Sequence, residues 1–217
     1  MHPGLTAAMY GEIIGGADGP VLNVAAGDTN LQRDLADVHV HRQVVSLDPA
    51  YAALSPDDYR YDRPDFVPGL AQDIPFGDNQ FAVTICQFGM QHVPEELLGD
   101  ALREMARVTM PASGPQDTTR GIIFVNPVFD FRELQAALDT RGVAQHLAGV
   151  GMHSREHIPL RVRKAVLPSL WIHKTPELTP ERLGAVVDAV IASRATKPGR
   201  REIGELVSRL FGGSSYM

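Results

Sequence analysis

Short apolar runs alternate with amphipathic stretches from Val21 to about Thr175, the order that strand and helix units around a mostly parallel sheet produce. The first run, Val21-Leu22-Asn23-Val24-Ala25, follows a turn-rich segment at 15–20 and precedes a helix expected from Leu31 to about Asp37. Gln43 to Leu47 reads as a second strand ending at Asp48, Ala50 to Leu54 as a short helix, and Phe66-Val67 as a weak third strand after a polar, proline-containing loop. Phe81 to Cys86, rich in β-branched and aromatic residues, is the fourth. Leu97, Leu98, Ala101, Leu102, Met105 and Val108 recur at helical spacing, which predicts an amphipathic helix from Pro94 to about Met110, with proline at its start and Pro111 at its stop. A polar loop at 114–120, a buried strand at Gly121 to Val125 and a second amphipathic helix from Asp130 to about Thr140 follow. Between Gly142 and Pro168 the pattern fades. Leu170 to His173 restores a strand, Thr179 to Ala192 opens a helix with a capping threonine and a proline at its first position, and Arg201 to Phe211 predicts a last, basic helix.

At 217 residues and 44% hydrophobic the chain is long enough to bury one good core, so a single domain is expected, with its core at about 21–175 and a C-terminal helical segment at about 176–217. No run approaches the ~18–20 apolar residues of a membrane-spanning helix, and no basic start leads into an apolar stretch, so a cytoplasmic location is expected. The lone cysteine, Cys86, lies in an apolar run; it excludes a disulfide framework and reads as a buried inert thiol. The net charge of −6 is uneven: residues 1–150 hold 9 Lys and Arg against 20 Asp and Glu, and residues 151–217 hold 11 against 6. The basic tail either meets an anionic partner or docks on the acidic body of its own chain. Without interleaved aromatic residues or an arginine-rich block, nucleic-acid binding is disfavoured.

In a doubly wound sheet the ligand lies outside the carboxyl ends of the strands. After the first strand, Ala25-Ala26-Gly27-Asp28-Thr29-Asn30 offers small residues that let a ligand approach the backbone. After the second comes Asp48, about 20 positions past the glycine turn, where a carboxylate accepts from both hydroxyls of a ribose. After the third comes Gln72-Asp73-Ile74-Pro75-Phe76, in which the Asp73 carboxylate and a backbone amide would read the edge of an adenine.

On these residues the chain resembles class I S-adenosylmethionine-dependent methyltransferases from Val21 to about Thr175. Val21 to Gly27 is similar to the family's first motif, Val45-Ser46-Leu47-Asp48-Pro49 to its ribose-binding strand end, and Asp73 to Phe81 to the stretch from the adenine loop to the fourth strand. Phe88-Gly89-Met90-Gln91-His92-Val93 followed by Leu102 to Pro111 is similar to the next segment, and its first six residues share a short likeness with ubiquinone and menaquinone C-methyltransferases. The resemblance implies a Rossmann-like, seven-stranded, mostly parallel sheet flanked by helices, with extra C-terminal helices. It implies S-adenosylmethionine as cofactor, with Asn23, Ala25 and Gly27 at its methionine end, Asp48 and Pro49 at the ribose, Asp73 and Ile74 at the adenine, and Gln87 and Phe88 at the methyl end. The chain departs from the family at Asn23, where an acid is usual, and at Ala25 and Thr29, where glycines are usual. Alanine fits if its φ is below zero; Asp28 sits either near the cofactor's ammonium or as a helix cap. The acceptor is expected to be a small molecule, in a pocket completed by the C-terminal helices, with Tyr10 as a lid, or by a second copy or partner chain.

Other features compete for attention. His153-Ser154-Arg155-Glu156-His157 matches the H-x-x-E-H pattern of zinc proteases, but Gly151 and Pro159 crowd it and the strand–helix order already accounts for the chain, so no metal is expected. Asn126-Pro127 follows the fifth strand and reads as a turn. His92, just beyond the fourth strand, is either a general base or a cap that orients its loop. Two further readings remain beside methyl transfer: a catalytically silent, methyltransferase-like binding or scaffold protein, and a nucleotide-sugar or dinucleotide enzyme of the same architecture. Because no metal is expected, incubation with EDTA should leave the melting temperature unchanged; stoichiometric zinc in the purified protein would overturn this.

Overall fold

The four residues of β1 (Val21–Val24) are all buried, as are those of β2 (Val44–Leu47) and β4 (Val83–Gln87). Such continuous burial is what parallel strands covered on both faces require. The computed structural model describes residues 11, 13–28, 31–36, 39–87, 89–126, 131–143, 147–153 and 167–195. Its other elements are α1 (Leu31–Ala36), β3 (Phe66–Val67), α2 (Leu98–Val108), β5 (Ile122–Asn126), α3 (Phe131–Thr140), β6 (Ala148–His153), β7 (Leu167–His173) and α4 (Pro180–Ala195). The strands form one seven-stranded sheet in the order β3-β2-β1-β4-β5-β7-β6. The first five are parallel and β7 enters antiparallel between β5 and β6. Strand order reverses between β1 and β4, which places a crevice at their carboxyl ends.

Alternation along the strands assigns the two faces. Leu22, Val24, Cys86, Ile123 and Val125 point to the side covered by α2, α3 and α4, where Leu102, Met105, Leu134, Leu138, Val186 and Val187 complete the core. Val21, Val83, Ile85 and Phe124 point to the other side, against Ile13, Ile14, Leu31 and Leu35. There Phe124 meets Trp171 edge to face at 4.6 Å between centroids.

Several boundaries differ from the sequence expectation, each for a local reason. The expected helix at Ala50 to Leu54 is a 3-10 turn, Pro49–Ala53, capped by the Asp48 side chain. The helix expected from Pro94 starts as a 3-10 turn at Glu95–Leu97 and becomes α-helical only at Leu98. The silent stretch after Gly142 contains β6, whose Ala-Gly-Val-Gly-Met-His sequence carries little strand propensity and is defined by pairing with β7 along its length. His153 therefore ends a strand, and the rest of its H-x-x-E-H pattern lies outside the described residues, as do the expected basic helix at 201–211, Tyr10 and Pro127. Among the described residues no helix is long and apolar enough to cross a membrane.

The crossover from β3 to β4 has no helix of its own, so its backbone groups must find partners elsewhere. They find them on α2. Arg107 donates to the carbonyls of Phe76 (2.8 Å) and Ile74 (3.0 Å) and to Asp78 (2.9 Å), while Glu104 accepts from the Ile74 amide (2.9 Å) and from Arg107 (2.7 Å). The end of α2 is held from the other side by Lys174, whose Nζ donates to the carbonyls of Ala106 (2.6 Å) and Thr109 (2.5 Å) and to Asn79 (2.7 Å).

Arg107 and the Ile74 amide hold the Glu104 carboxyl below the usual range, so its charged form stabilises the fold. Glu104→Gln should cost about 1–3 kcal/mol in urea unfolding at neutral pH. The sign follows from the lowered value: the contribution is full above the unfolded glutamate range near ~4.3 and is lost as pH falls below it, so wild type and variant should converge in acid. A difference that persists unchanged at pH 3 would refute this.

Candidate functional site

The crevice is built on a backbone turn. Leaving β1, the chain passes through Ala25 at φ 52° and Gly27 at φ 55°. Ala25 therefore adopts the left-handed region, so the condition of a negative φ under which alanine fits freely is not met, and its side chain makes this cost about 1–2 kcal/mol. The neighbouring strand end is shaped to accept it. A Cβ on Gly89, just beyond β4, would stand 2.4 Å from the Ala25 Cβ and 2.7 Å from the Cys86 Sγ. Around Gly27 the reverse holds: a Cβ there would meet nothing within 4 Å, so this glycine answers to its backbone conformation and borders open space.

The Gly27 peptide is fixed from both sides. Its amide donates to Asp48 Oδ2 at 2.8 Å, and its carbonyl accepts from the Tyr51 hydroxyl at 2.8 Å and from Arg60 Nη1 at 3.2 Å. Asp48 Oδ1 accepts from the Ala50 amide at 2.9 Å, so the carboxylate at the end of β2 joins the glycine turn to the 3-10 turn behind it and still has lone pairs to offer. Pro49 is exposed and opens that 3-10 turn. Burial, reinforced by Asp48, pushes the Tyr51 hydroxyl well above the ordinary phenol range, so it acts as a neutral donor.

Arg60 is itself held before it reaches the turn. Its Nε and Nη2 form a fork on Asp58 at 2.9 and 2.7 Å, its Nη1 meets Asp28 at 2.9 Å, and its Cζ lies 5.5 Å from the ring centroids of both Tyr51 and Tyr59. The guanidinium lowers the Asp58 carboxyl to about 2. Asp28 thus pairs with Arg60, a role outside both sequence alternatives.

The remaining expected residues separate into two groups. Asn23 is 1% exposed inside β1. Gln87 is buried at the end of β4 in register with Asn126 at the end of β5. Asn126 donates to Ser169 at 2.6 Å, while its Oδ1 is buried without a hydrogen-bond partner among the described residues. Phe88 and Thr29 lie outside the described residues. Ile74, expected at the adenine, has its side chain 2% exposed in the core and its amide donating to Glu104. Asp73 beside it is exposed, and its amide donates to the Leu70 carbonyl. Nearer the end of β2 lie Gly69, where a Cβ would stand 2.6 Å from Leu47 Cδ1, and Leu70, 44% exposed.

His92 is exposed on a 3-10 turn after β4, and among the described residues its ring hydrogen-bonds only with Gln91, at 3.2 Å. The α4 helix packs its Val186 and Val187 into the core beside α2. Among the described residues no cluster of three metal-ligating side chains occurs. A cavity of about 490 Å³ lined by Asp18, Ser113, Asp117 and Arg120 opens elsewhere, beside the turn leading into β1. Its Asp117 is saturated by Ser113 and Thr119, which hold the carboxyl far below the usual range, and it leaves no free group for chemistry.

Tyr51, Arg60, Gly89 and Leu70 were not singled out from sequence. Gly89 alone carried a signal, a glycine directly after a buried strand; Arg60 stands in an acidic, turn-rich run where nothing marks it.

A family described as "Methyltransferase domain" matches residues 21–112. The demethylmenaquinone methyltransferase of Renibacterium salmoninarum is 38% identical over 91 residues, 42% of this chain and 37% of that one. Its counterpart from Paenarthrobacter aurescens is 37% identical over 91 residues, 42% of this chain and 34% of that one. The match thus spans little more than a third of these relatives' length. Among solved structures, the 1,6-didemethyltoxoflavin-N1-methyltransferase of Burkholderia thailandensis, with its substrate and S-adenosylhomocysteine bound, superposes with a TM-score of 0.51. It is 14% identical, over 80% of this chain and 79% of that one, and it supports the fold.

The close approach at Gly89 is directly testable. Gly89→Ala should destabilise the protein by about 1–3 kcal/mol through overpacking, and adding Ala25→Gly should recover part of that loss by removing one of the two opposing atoms. Strictly additive effects in urea unfolding would show that the two positions do not touch.

Proposed function

We propose that this chain is a class I S-adenosylmethionine-dependent methyltransferase that binds S-adenosylmethionine across the ends of β1, β2 and β4 and transfers the methyl group to a small-molecule acceptor, a reading supported by the methyltransferase-domain match over residues 21–112. The observation that carries the reading is the Asp48–Gly27 hydrogen bond, which brings a carboxylate suited to ribose hydroxyls against a turn that opens into free space. In this reading Asn23, Ala25 and Gly27 form the floor at the methionine end, and Asp48 with Pro49 meets the ribose. Gln87 flanks the methyl group. The exposed Leu70 and the backbone beside it take the adenine in place of Ile74, which is committed to Glu104.

The bound cofactor supplies an activated methyl group on a sulfonium. What the chain supplies is orientation: an in-line displacement gains much of its rate from holding nucleophile and methyl carbon together. A dedicated base is not required, and exposed His92 is assigned to shaping the loop after β4. On the acceptor side, Gln87 and Asn126 stand at neighbouring strand ends, and the unpaired Asn126 Oδ1 suits an acceptor that presents an N–H or O–H group. The aromatic quinone chemistry named for the two relatives is compatible with such a group.

One observation favours a second reading, a catalytically silent binding protein: both Asp48 oxygens and the Ile74 amide already have internal partners. Calorimetric titration with S-adenosylhomocysteine separates the two. Micromolar binding, weakened more than tenfold in a folded Asp48→Ala variant, is expected, since bonds to a charged group are worth about 1.5–3 kcal/mol each. Absence of binding at millimolar ligand would overturn the enzyme reading in favour of the silent one.

A further inference from the structure

The segment between β2 and β3 carries no α-helix, yet it sends two side chains, Tyr51 and Arg60, back to the glycine turn, 24 and 33 residues away. We propose that Arg60 is a positioning residue for the cofactor: it fixes the Gly27 peptide so that the turn at the methionine end is ready to receive the ligand. The inference rests on the reading of the crevice as a cofactor site.

Three observations support it. First, the turn needs an external constraint, because Ala25 holds a left-handed φ of 52° that costs a non-glycine residue free energy. Second, Arg60 is anchored independently of the turn. The fork on Asp58 and the two tyrosine rings hold a guanidinium whose side chain is only 11% exposed, so little rotamer freedom is left to lose when it contacts Gly27. Third, its contacts fall on the turn itself: Nη1 donates both to the Gly27 carbonyl, shared with Tyr51, and to Asp28, the next residue. The pair with Asp28 also neutralises a carboxylate whose side chain is otherwise fully open to solvent, beside the end of the cofactor that bears a carboxylate of its own.

The bond from the Ala50 amide to Asp48 does not involve Arg60. Loss of Arg60 is therefore expected to disturb the amino-acid end of the ligand and spare the nucleoside. The test compares S-adenosylhomocysteine with 5′-methylthioadenosine, which lacks the amino-acid end, by calorimetry on the full chain. Arg60→Ala should weaken S-adenosylhomocysteine binding more than tenfold while changing 5′-methylthioadenosine binding less than threefold. Arg60→Lys, which keeps the charge and loses the fork on Asp58, should recover part of the loss. Tyr51→Phe removes the other donor to the same carbonyl; it should shift the ratio of the two affinities the same way and carries the test if Arg60→Ala does not fold. Equal loss for both ligands would reduce Arg60 to a structural role, and unchanged affinity for both would leave it none; either result overturns the proposal while leaving the cofactor site standing. Failure of the wild type to bind S-adenosylhomocysteine would overturn the site itself and this proposal with it.

Discussion

One peptide unit, that of Gly27, ties three otherwise separate parts of the chain together. Its amide is bound to the end of β2 and its carbonyl to the segment beyond, through partners 21, 24 and 33 residues away. A turn left in water would be free to relax its left-handed residues. Here relaxation would break three hydrogen bonds in a half-buried place, each worth about 0.5–1.5 kcal/mol net and more where charge assists. The crevice, the 3-10 turn behind Asp48 and the placement of the segment carrying Arg60 all depend on that unit staying where it is.

The two sides of the crevice are built on different physics. On the β2 side the structure relies on polar bonds between loops, because a 3-10 turn and a series of tight turns stand where a helix would bury apolar area. On the β4 side it relies on contact: Gly89, Ala25 and Cys86 approach so closely that a single added methyl group has no place to go. Cys86 is thus a fully buried packing surface for the turn. The polar side can tolerate changes of side chain length better than the packed side, where close-packed atoms transmit any added volume.

The same division recurs below the crevice. The helix-free crossover from β3 to β4 is held by Glu104 and Arg107, which take up its amides and carbonyls as a helix would. In this arrangement the Ile74 amide serves to fasten the crossover to α2.

Strand and helix identities were legible wherever burial and period agreed. The runs at Val21, Val44, Val83 and Ile122 are mostly apolar, as doubly covered strands are, and the stripe from Leu98 to Val108 has one helical face. The spacing of Gly27 and Asp48 was legible too, because the length of a strand–helix–strand unit brings two strand ends together. β6 was not, since its glycine-rich sequence has no intrinsic preference and becomes a strand only by pairing with β7. Nor was the sign of the Ala25 φ, which is imposed by its neighbours and not by alanine. Arg60, Tyr51 and the Ile74–Glu104 bond were illegible for the same reason: a hydrogen bond spanning 24 to 33 residues leaves no periodic trace in the chain, and only the folded arrangement decides which donors meet which acceptors.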